Sequence, residues 1–322
     1  MARPGVLVTR RIPASVAARL EAECDVDIHA GPAAISGDEL RLRIGKKRAL
    51  MCLLTDRVDA DLLDAAPDLQ IVANIAVGFD NVDLAAARER RVIVTNTPDV
   101  LTEATADLTW GLILAVTRRL AEGERLLRRG QWSGWALDFM LGSDLRGKQL
   151  GIVGLGRIGR AVASRARAFG MRVAFTTLED GTPGSGASEP AWTRLGLDDL
   201  LSSSDVVSLH VPLTPSTRHL IDRRALLRMK RSAYLVNTSR GPVIDEAALA
   251  WALGERLIAG AALDVYENEP RVHAGLLGLE HVVLAPHLGS ATVETRTAMA
   301  DLAARNVLAV LSGAPPLTPV SL

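Results

Sequence analysis

Gly154-Leu155-Gly156-Arg157-Ile158-Gly159 combines residue types and spacing that suit the capture of a pyrophosphate. The first glycine permits a tight turn and the second lets the backbone approach the anion. The third allows close helix–strand packing, and the helix N-terminus offers unpaired N–H groups to the charge. The motif carries weight through its context: Leu150-Gly151-Ile152-Val153 before it reads as a strand, and the residues after it read as a helix. A dinucleotide is the implied ligand. About 20 residues further on, a fold that prefers NAD places Asp or Glu at the end of its second strand to hold the ribose 2′-hydroxyl. That strand end here reads Phe175-Thr176-Thr177-Leu178, and Glu179 and Asp180 come late. A neutral Thr177 would not repel a 2′-phosphate, so the sequence leans toward NADP(H) over NAD(H), although Leu178 is no arginine clamp.

Positioning such a loop requires strands and helices in alternation, and the chain supplies them. The first hundred residues read as β-rich runs at Val6–Thr9, Val26–Ile28, Ala49–Leu54, Ile71–Ile75 and Val92–Thr95. Helical patterns lie between them near Ala14–Glu23, Asp38–Ile44, Ala60–Ala66 and Val82–Arg90. This is the arithmetic of a parallel sheet. After Pro98 a long apolar helix begins near Thr102 and runs through Leu108, Leu112, Ala115, Val116 and Leu120. Its lack of a polar face places it between domains and against a second subunit. Trp132, Trp135 and Phe139 follow in a stretch without periodicity, suited to an interface, a pocket wall or packing under a loop.

A second alternation starts at Leu150, with a helix from the glycine loop to about Phe169. Further strands are expected at Met171–Thr176, Val206–His210, Tyr234–Asn237, Gly260–Leu263 and Val282–Leu284, and a last helix at Ala291–Leu311. Gly181–Gly186 has the composition of a surface loop. Lys46-Lys47-Arg48 and Arg88-Glu89-Arg90-Arg91 read as solvated helix C-termini.

Composition removes several function classes. With 37 basic and 37 acidic residues the formal charge is zero, and no basic stripe is present to track a nucleic acid. The two cysteines, Cys24 and Cys52, form neither a Cys-x-x-Cys pair nor a zinc pattern with histidine, so no metal site and no disulfide scaffold is signalled. A strand begins at Val6 with no leader pattern before it, and no apolar run approaches a membrane span. The expectation is a cytoplasmic protein without a membrane or nucleic-acid partner.

Nearly the whole chain resembles the D-2-hydroxyacid dehydrogenase family, and within it is most similar to the glyoxylate/hydroxypyruvate reductases. The resemblance rests on ordered motifs: Asn74-Ile75-Ala76-Val77-Gly78-Phe79-Asp80-Asn81, Asn96-Thr97-Pro98, Ala104-Thr105-Ala106-Asp107, the glycine loop, Asn237-Thr238-Ser239-Arg240-Gly241, Asp264-Val265-Tyr266-Glu267-Asn268-Glu269-Pro270, and Pro286-His287-Leu288-Gly289-Ser290-Ala291. It implies an α/β fold of two Rossmann-like domains with parallel sheets. The substrate domain would be discontinuous, 1–98 with 289–322, and the dinucleotide-binding domain 99–288 would be inserted into it. It also implies a homodimer and a small 2-oxo or 2-hydroxy acid as substrate.

In that family Arg240, Glu269 and His287 would be catalytic, and the groups suit the task. Arg240 can pair with a carboxylate and polarise a carbonyl; His287 as imidazolium can give up a proton; Glu269 beside it would hold the ring. The other histidines (29, 219, 273, 281) read as structural, His210 excepted. Asp264 would meet the nicotinamide carboxamide. Thr105, Gly154, Leu155, Gly156, Arg157, Ile158, Gly159, Thr176, Thr177, His210, Pro212, Thr217, Thr238, Ser239 and Gly289 fall where the family lines its NAD(P) cleft. Leu54, Val77, Gly78 and Ser290, with Arg240, fall where it binds substrate. Trp135 matches a position from which a subunit can reach its neighbour's pocket. The implied reaction reduces glyoxylate to glycolate and hydroxypyruvate to D-glycerate. D-lactate, phosphite or a bulkier 2-oxo acid are the alternative substrates, and an NAD(H)-sensing corepressor-like binding protein is the alternative outside catalysis.

Overall fold

The computed structural model describes residues 3–31, 33–177 and 192–321. Leu178, Glu179, Asp180 and Gly181–Gly186 lie outside the described residues. The chain divides into two compact units, residues 1–101 with 291–322, and residues 102–290.

In the first unit β1 (Gly5–Val8), α1 (Ala14–Glu23), β2 (Asp25–Ile28), α2 (Gly37–Ile44), β3 (Ala49–Cys52), α3 (Ala60–Asp64), β4 (Ile71–Asn74), α4 (Leu84–Glu89) and β5 (Ile93–Thr95) alternate along the chain. The five strands form one parallel sheet in the order β2-β1-β3-β4-β5. β3 and β4 are buried at every position, so β3 reads as a continuous apolar run and β4 as one that ends on the buried Asn74. Helix starts follow side-chain chemistry: Ser36, Asp59 and Asp83 each accept an N–H of the first turn of α2, α3 and α4.

The second unit runs α5 (Thr102–Thr117), α6 (Leu120–Arg128), β6 (Gln149–Val153), α7 (Arg157–Arg165), β7 (Arg172–Thr176), β8 (Thr193–Arg194), α8 (Leu197–Ser203), β9 (Val206–Leu209), α9 (Arg223–Arg228), β10 (Tyr234–Asn237), α10 (Glu246–Gly254), β11 (Gly260–Leu263), α11 (Ala274–Leu277) and β12 (Val282–Leu284). Its seven strands form a parallel sheet in the order β12-β11-β10-β9-β6-β7-β8. The order reverses direction at β6, and ligands of open α/β sheets bind at the strand carboxyl ends beside such a reversal. One core cluster holds Leu200, Leu201, Leu226, Leu249 and Leu253 on the sheet. Another holds Ile113, Leu150, Ile152 and Val162, with Trp110 stacked on Phe169 at a 4.1 Å centroid distance.

The apolar helix after Pro98 is shorter than its periodicity suggests. The Thr117 carbonyl is taken by the N–H of Ser143 at 2.8 Å, and Arg119 turns left-handed, φ 53°, so α5 ends and α6 starts afresh. The helix after the glycine loop likewise stops at Arg165, before the left-handed Gly170. The sequence reading does not draw α8, α9, α10 and α11; α8 packs on β6, β7 and α9, and α10 packs on α9 and α11.

The last helix, α12 (Val293–Leu311), belongs to the first unit, where it packs on α1, β3 and β4. Asn306, fully buried, accepts the N–H groups of Leu317 and Thr318, and Thr318 in turn donates to the Asn96 carbonyl at 2.6 Å. Among the described residues no helix is long and apolar enough to cross a membrane, and no group of three His, Cys, Asp or Glu could hold a metal ion.

Candidate active site

The glycine loop leaves β6 and opens α7. A Cβ on Gly159 would lie 2.1 Å from the Gly154 carbonyl oxygen, so this position must be bare for helix and strand to close. Gly156, the residue before the first turn of α7, is different: a Cβ there would meet nothing within 4 Å. No protein neighbour demands a glycine at that point, and it stands directly before the first turn of α7, whose N–H groups have no partner within the helix. The residues therefore fit a dinucleotide pyrophosphate. Gly154 donates its N–H to the Thr176 carbonyl at 2.9 Å, which brings the end of β7, and with it Thr177, beside the loop.

The remaining cofactor-side candidates divide by geometry. Thr105 donates to the Gly289 carbonyl at 3.1 Å, and Thr109 bridges the Thr105 carbonyl and the Thr238 hydroxyl, so α5, the loop after β10 and the loop after β12 are joined at their ends. His210 follows β9 and hydrogen-bonds Ser208 at 2.8 Å; desolvation pushes its imidazole down to about 3, so it stays neutral. Thr217 is buried and donates to the Pro212 carbonyl at 2.7 Å, which commits its hydroxyl proton to closing the 212–217 turn.

Arg240, Glu269 and His287 come from three loops at neighbouring strand ends, after β10, β11 and β12. Asn237, wholly buried at the end of β10, donates to the Arg240 carbonyl at 2.9 Å and accepts the Ser239 N–H and hydroxyl, a side-chain turn that sets the direction of the Arg240 segment. Gly241 then passes so close to the next loop that a Cβ would sit 1.8 Å from the Tyr266 carbonyl carbon. Tyr266 donates its hydroxyl to the Ala285 carbonyl at 2.9 Å and lies 3.2 Å from that of Leu263, pinning the loop after β12 to the loop after β11.

Asp264, 1% exposed, accepts the N–H groups of Leu288 and Gly289 at 2.6 and 2.8 Å, and its carbonyl accepts the His287 N–H. Burial raises the Asp264 carboxyl above the usual carboxylate range in spite of those bonds. The three-point clasp holds His287 at φ 54°, a left-handed conformation, and puts its Nδ1 2.9 Å from Glu269 Oε2. Desolvation pushes Glu269 up, but the hydrogen bond and charge of His287, the Tyr266 N–H and the Arg240 charge outweigh it. The carboxyl is left below its ordinary value. The imidazole is thus fixed through Nδ1, which leaves Nε2 as the working nitrogen.

Residues outside the expected set complete the frame. Glu246, 4% exposed at the start of α10, accepts the backbone N–H groups of Glu267 and His273, one on each side of Glu269. Glu267 in turn pairs with His219 at 2.6 Å. Tyr266 stands inside a motif noted from the sequence, and the Asn-Thr-Ser run at the β10 end carries a turn signature. Glu246 gives no local signal, because its partners lie 21 and 27 residues away.

The close approach at Gly241 carries a prediction. Gly241→Ala must push the Arg240 and Glu269 loops apart, and a displacement near 1 Å costs on the order of a hundredfold in rate. We expect kcat to fall by about that factor while the affinity for dinucleotide changes little; wild-type turnover would contradict it.

In the first unit, the candidates Leu54, Val77 and Gly78 lie in loops after β3 and β4. Buried Asn74 donates to the Gly78 carbonyl at 2.8 Å, Asn96 to the Val77 carbonyl at 2.8 Å, and Asn81 to the Leu53 carbonyl at 3.1 Å. Because a peptide is planar and trans, fixing the Val77 carbonyl on Asn96 aims the Gly78 N–H the opposite way.

Comparison with known proteins agrees with this geometry. Residues 110–289 match the family profile described as D-isomer specific 2-hydroxyacid dehydrogenase, NAD binding domain. A glyoxylate reductase of Thermofilum pendens is 49% identical over 319 residues, covering 98% of this chain and 94% of that protein. Among solved structures, a glyoxylate reductase from Paecilomyes thermophila aligns with a TM-score of 0.89 at 32% identity, covering 99% of both chains. An NADPH-dependent glyoxylate/hydroxypyruvate reductase from Sinorhizobium meliloti, in complex with NADP and malonate, aligns at 0.86 and 38% identity, covering 99% of this chain and 97% of that one. A glycine loop at the sheet's reversal point, the Arg240, Glu269 and His287 loops beside it, and near-full-length likeness to these enzymes together show that the chain belongs to the D-isomer specific 2-hydroxyacid dehydrogenase family.

Proposed function

We propose that the protein reduces small 2-oxo acids, glyoxylate to glycolate and hydroxypyruvate to D-glycerate, with NADPH preferred over NADH. The observation that carries the reading is the His287–Glu269 pair at 2.9 Å, held beside the Arg240 loop at the carboxyl ends of β10, β11 and β12. When bound, the nicotinamide supplies the hydride. Arg240 pairs with the substrate carboxylate and turns a further N–H toward the carbonyl oxygen, where negative charge grows. His287 donates the proton from Nε2 to that oxygen, and Glu269 holds the ring and stabilises its charged form.

Asp264 anchors the carboxamide end of the cofactor, and the α7 N-terminus its pyrophosphate. The N–H groups of the Val77–Gly78 loop suit a carboxylate, and Leu54 and Ser290 are assigned to the substrate as well. A neutral Thr177 in place of a carboxylate favours the 2′-phosphorylated cofactor.

The working form is a homodimer. Leu120, Leu127, Trp132, Trp135, Leu137 and Leu141 leave an apolar surface on the second unit, with Trp135 80% and Leu137 82% exposed, which a partner subunit would cover. Both cysteines are buried free thiols, in keeping with a reducing, cytoplasmic setting.

Initial rates of NADPH and NADH oxidation on glyoxylate and hydroxypyruvate, at matched concentrations, test the reading. Rapid turnover that favours NADPH is expected. Turnover with NADH alone would overturn the cofactor preference, and no turnover with either acid would overturn the substrate class.

A further inference from the structure

The end of β7 is joined by a cation from a different strand. β8 runs parallel to β7 at the sheet edge, with Ala174 opposite Thr193 and Phe175 opposite Arg194. From that register the Arg194 side chain reaches forward, and its Nη2 donates to the Thr177 hydroxyl at 3.2 Å. Some arginines of the unit are engaged by acids, Arg165 with Glu103 and Asp107, Arg119 with Glu122 and Arg125 with Glu280. Among the described residues Arg194 has no carboxylate partner, and it is exposed to solvent. The second strand of the dinucleotide fold therefore ends in a hydroxyl backed by a guanidinium, the reverse of the carboxylate that selects a ribose 2′-hydroxyl.

We propose that Arg194 is the residue that selects the phosphorylated cofactor, forking its guanidinium onto the 2′-phosphate at the end of β7. Thr177 lies one residue beyond the carbonyl that receives the Gly154 N–H, so a ribose extending from a pyrophosphate on α7 presents its 2′ position there. A guanidinium matches a phosphate with two parallel N–H donors, whereas a ribose hydroxyl uses at most one. The inference rests on the NADPH preference proposed above and adds its structural source, on a strand outside the glycine-loop unit β6-α7-β7.

The test is equilibrium binding of NADPH, NADH and adenosine 2′,5′-bisphosphate to the full-length protein and to Arg194→Leu and Arg194→Lys. The bisphosphate carries the 2′-phosphate without a nicotinamide, so its affinity is read apart from catalysis. Arg194→Leu is expected to weaken NADPH and the bisphosphate by about 10- to 100-fold, the range for a charge-assisted hydrogen bond, with NADH unchanged. Arg194→Lys, which keeps charge without the fork, is expected to fall between. Retained NADH affinity shows that each variant is folded. A wild type that binds NADPH tighter than NADH, with the same ratio in Arg194→Leu, would overturn the role of Arg194 alone. A wild type that binds NADH tighter would overturn the cofactor preference beneath it.

Discussion

His287→Asn is expected to lower kcat for 2-oxo acid reduction by about 10²- to 10⁴-fold, the usual contribution of a positioned general acid. Asparagine is the informative replacement because position 287 has φ 54°, a left-handed conformation that asparagine adopts more readily than most residues. The backbone clasp by Asp264 is then kept, and the only group removed is the proton donor. Cofactor affinity should stay near wild type, since the Gly289 N–H remains bound to the buried Asp264. Glu269→Gln should cost less, because the amide can still meet Nδ1 but brings no charge to stabilise the imidazolium. Turnover of His287→Asn within a few fold of wild type would remove His287 from the chemistry.

The sign of the acid dependence follows from Glu269. Its carboxyl lies below the ordinary value, so the stabilisation from its pair with His287 is complete above the unfolded carboxylate range. It is lost as pH falls through the lower folded value. Through the neutral range Glu269 is therefore an anion.

Arg240→Ala is the second large effect, expected to reduce kcat/KM by about 2–5 kcal/mol, the cost of truncating one partner of a hydrogen-bonded charge pair. Both parts of the constant should suffer. Loss of the carboxylate anchor raises KM, and loss of the N–H on the developing oxyanion lowers kcat. Arg240→Lys should restore part of the KM defect and little of the kcat defect, since an ammonium keeps the charge but not the planar pair of donors. Asn237 and Gly241 set the local backbone independently of the Arg240 side chain, so the fold should survive, which a thermal melt would check. A kcat/KM near wild type would exclude Arg240 as the anchor.

What could be read from the sequence divides along a physical line. The glycine loop was legible because its three requirements are local, and Gly159 shows the expected crowding while Gly156 shows the expected open space. Strand β3 was legible as an unbroken apolar run, and β4 and β10 as apolar runs ending on a buried asparagine. Helix ends were less so: α5 ends because the Ser143 N–H, 26 residues on, takes a carbonyl at its last turn. The meeting of Glu269 with His287 depends on β11 and β12 being sheet neighbours, and residue type alone could only suggest it. Glu246, Tyr266 and Arg194 act through partners supplied by the fold. Arg194 itself lies in a two-residue edge strand too short to show periodicity.

The central claim is that His287, held by Glu269, carries the proton of the reaction, and the pH dependence of both directions tests it most directly. Rates should be measured from acid to alkaline pH for 2-oxo acid reduction and for 2-hydroxy acid oxidation on the same preparation. Reduction needs the imidazole protonated and oxidation needs it neutral, so reduction should fall and oxidation should rise with pH across one shared interval. His287→Asn should abolish that opposition. Profiles that run parallel in the two directions, or an opposition that persists in His287→Asn, would contradict the assignment.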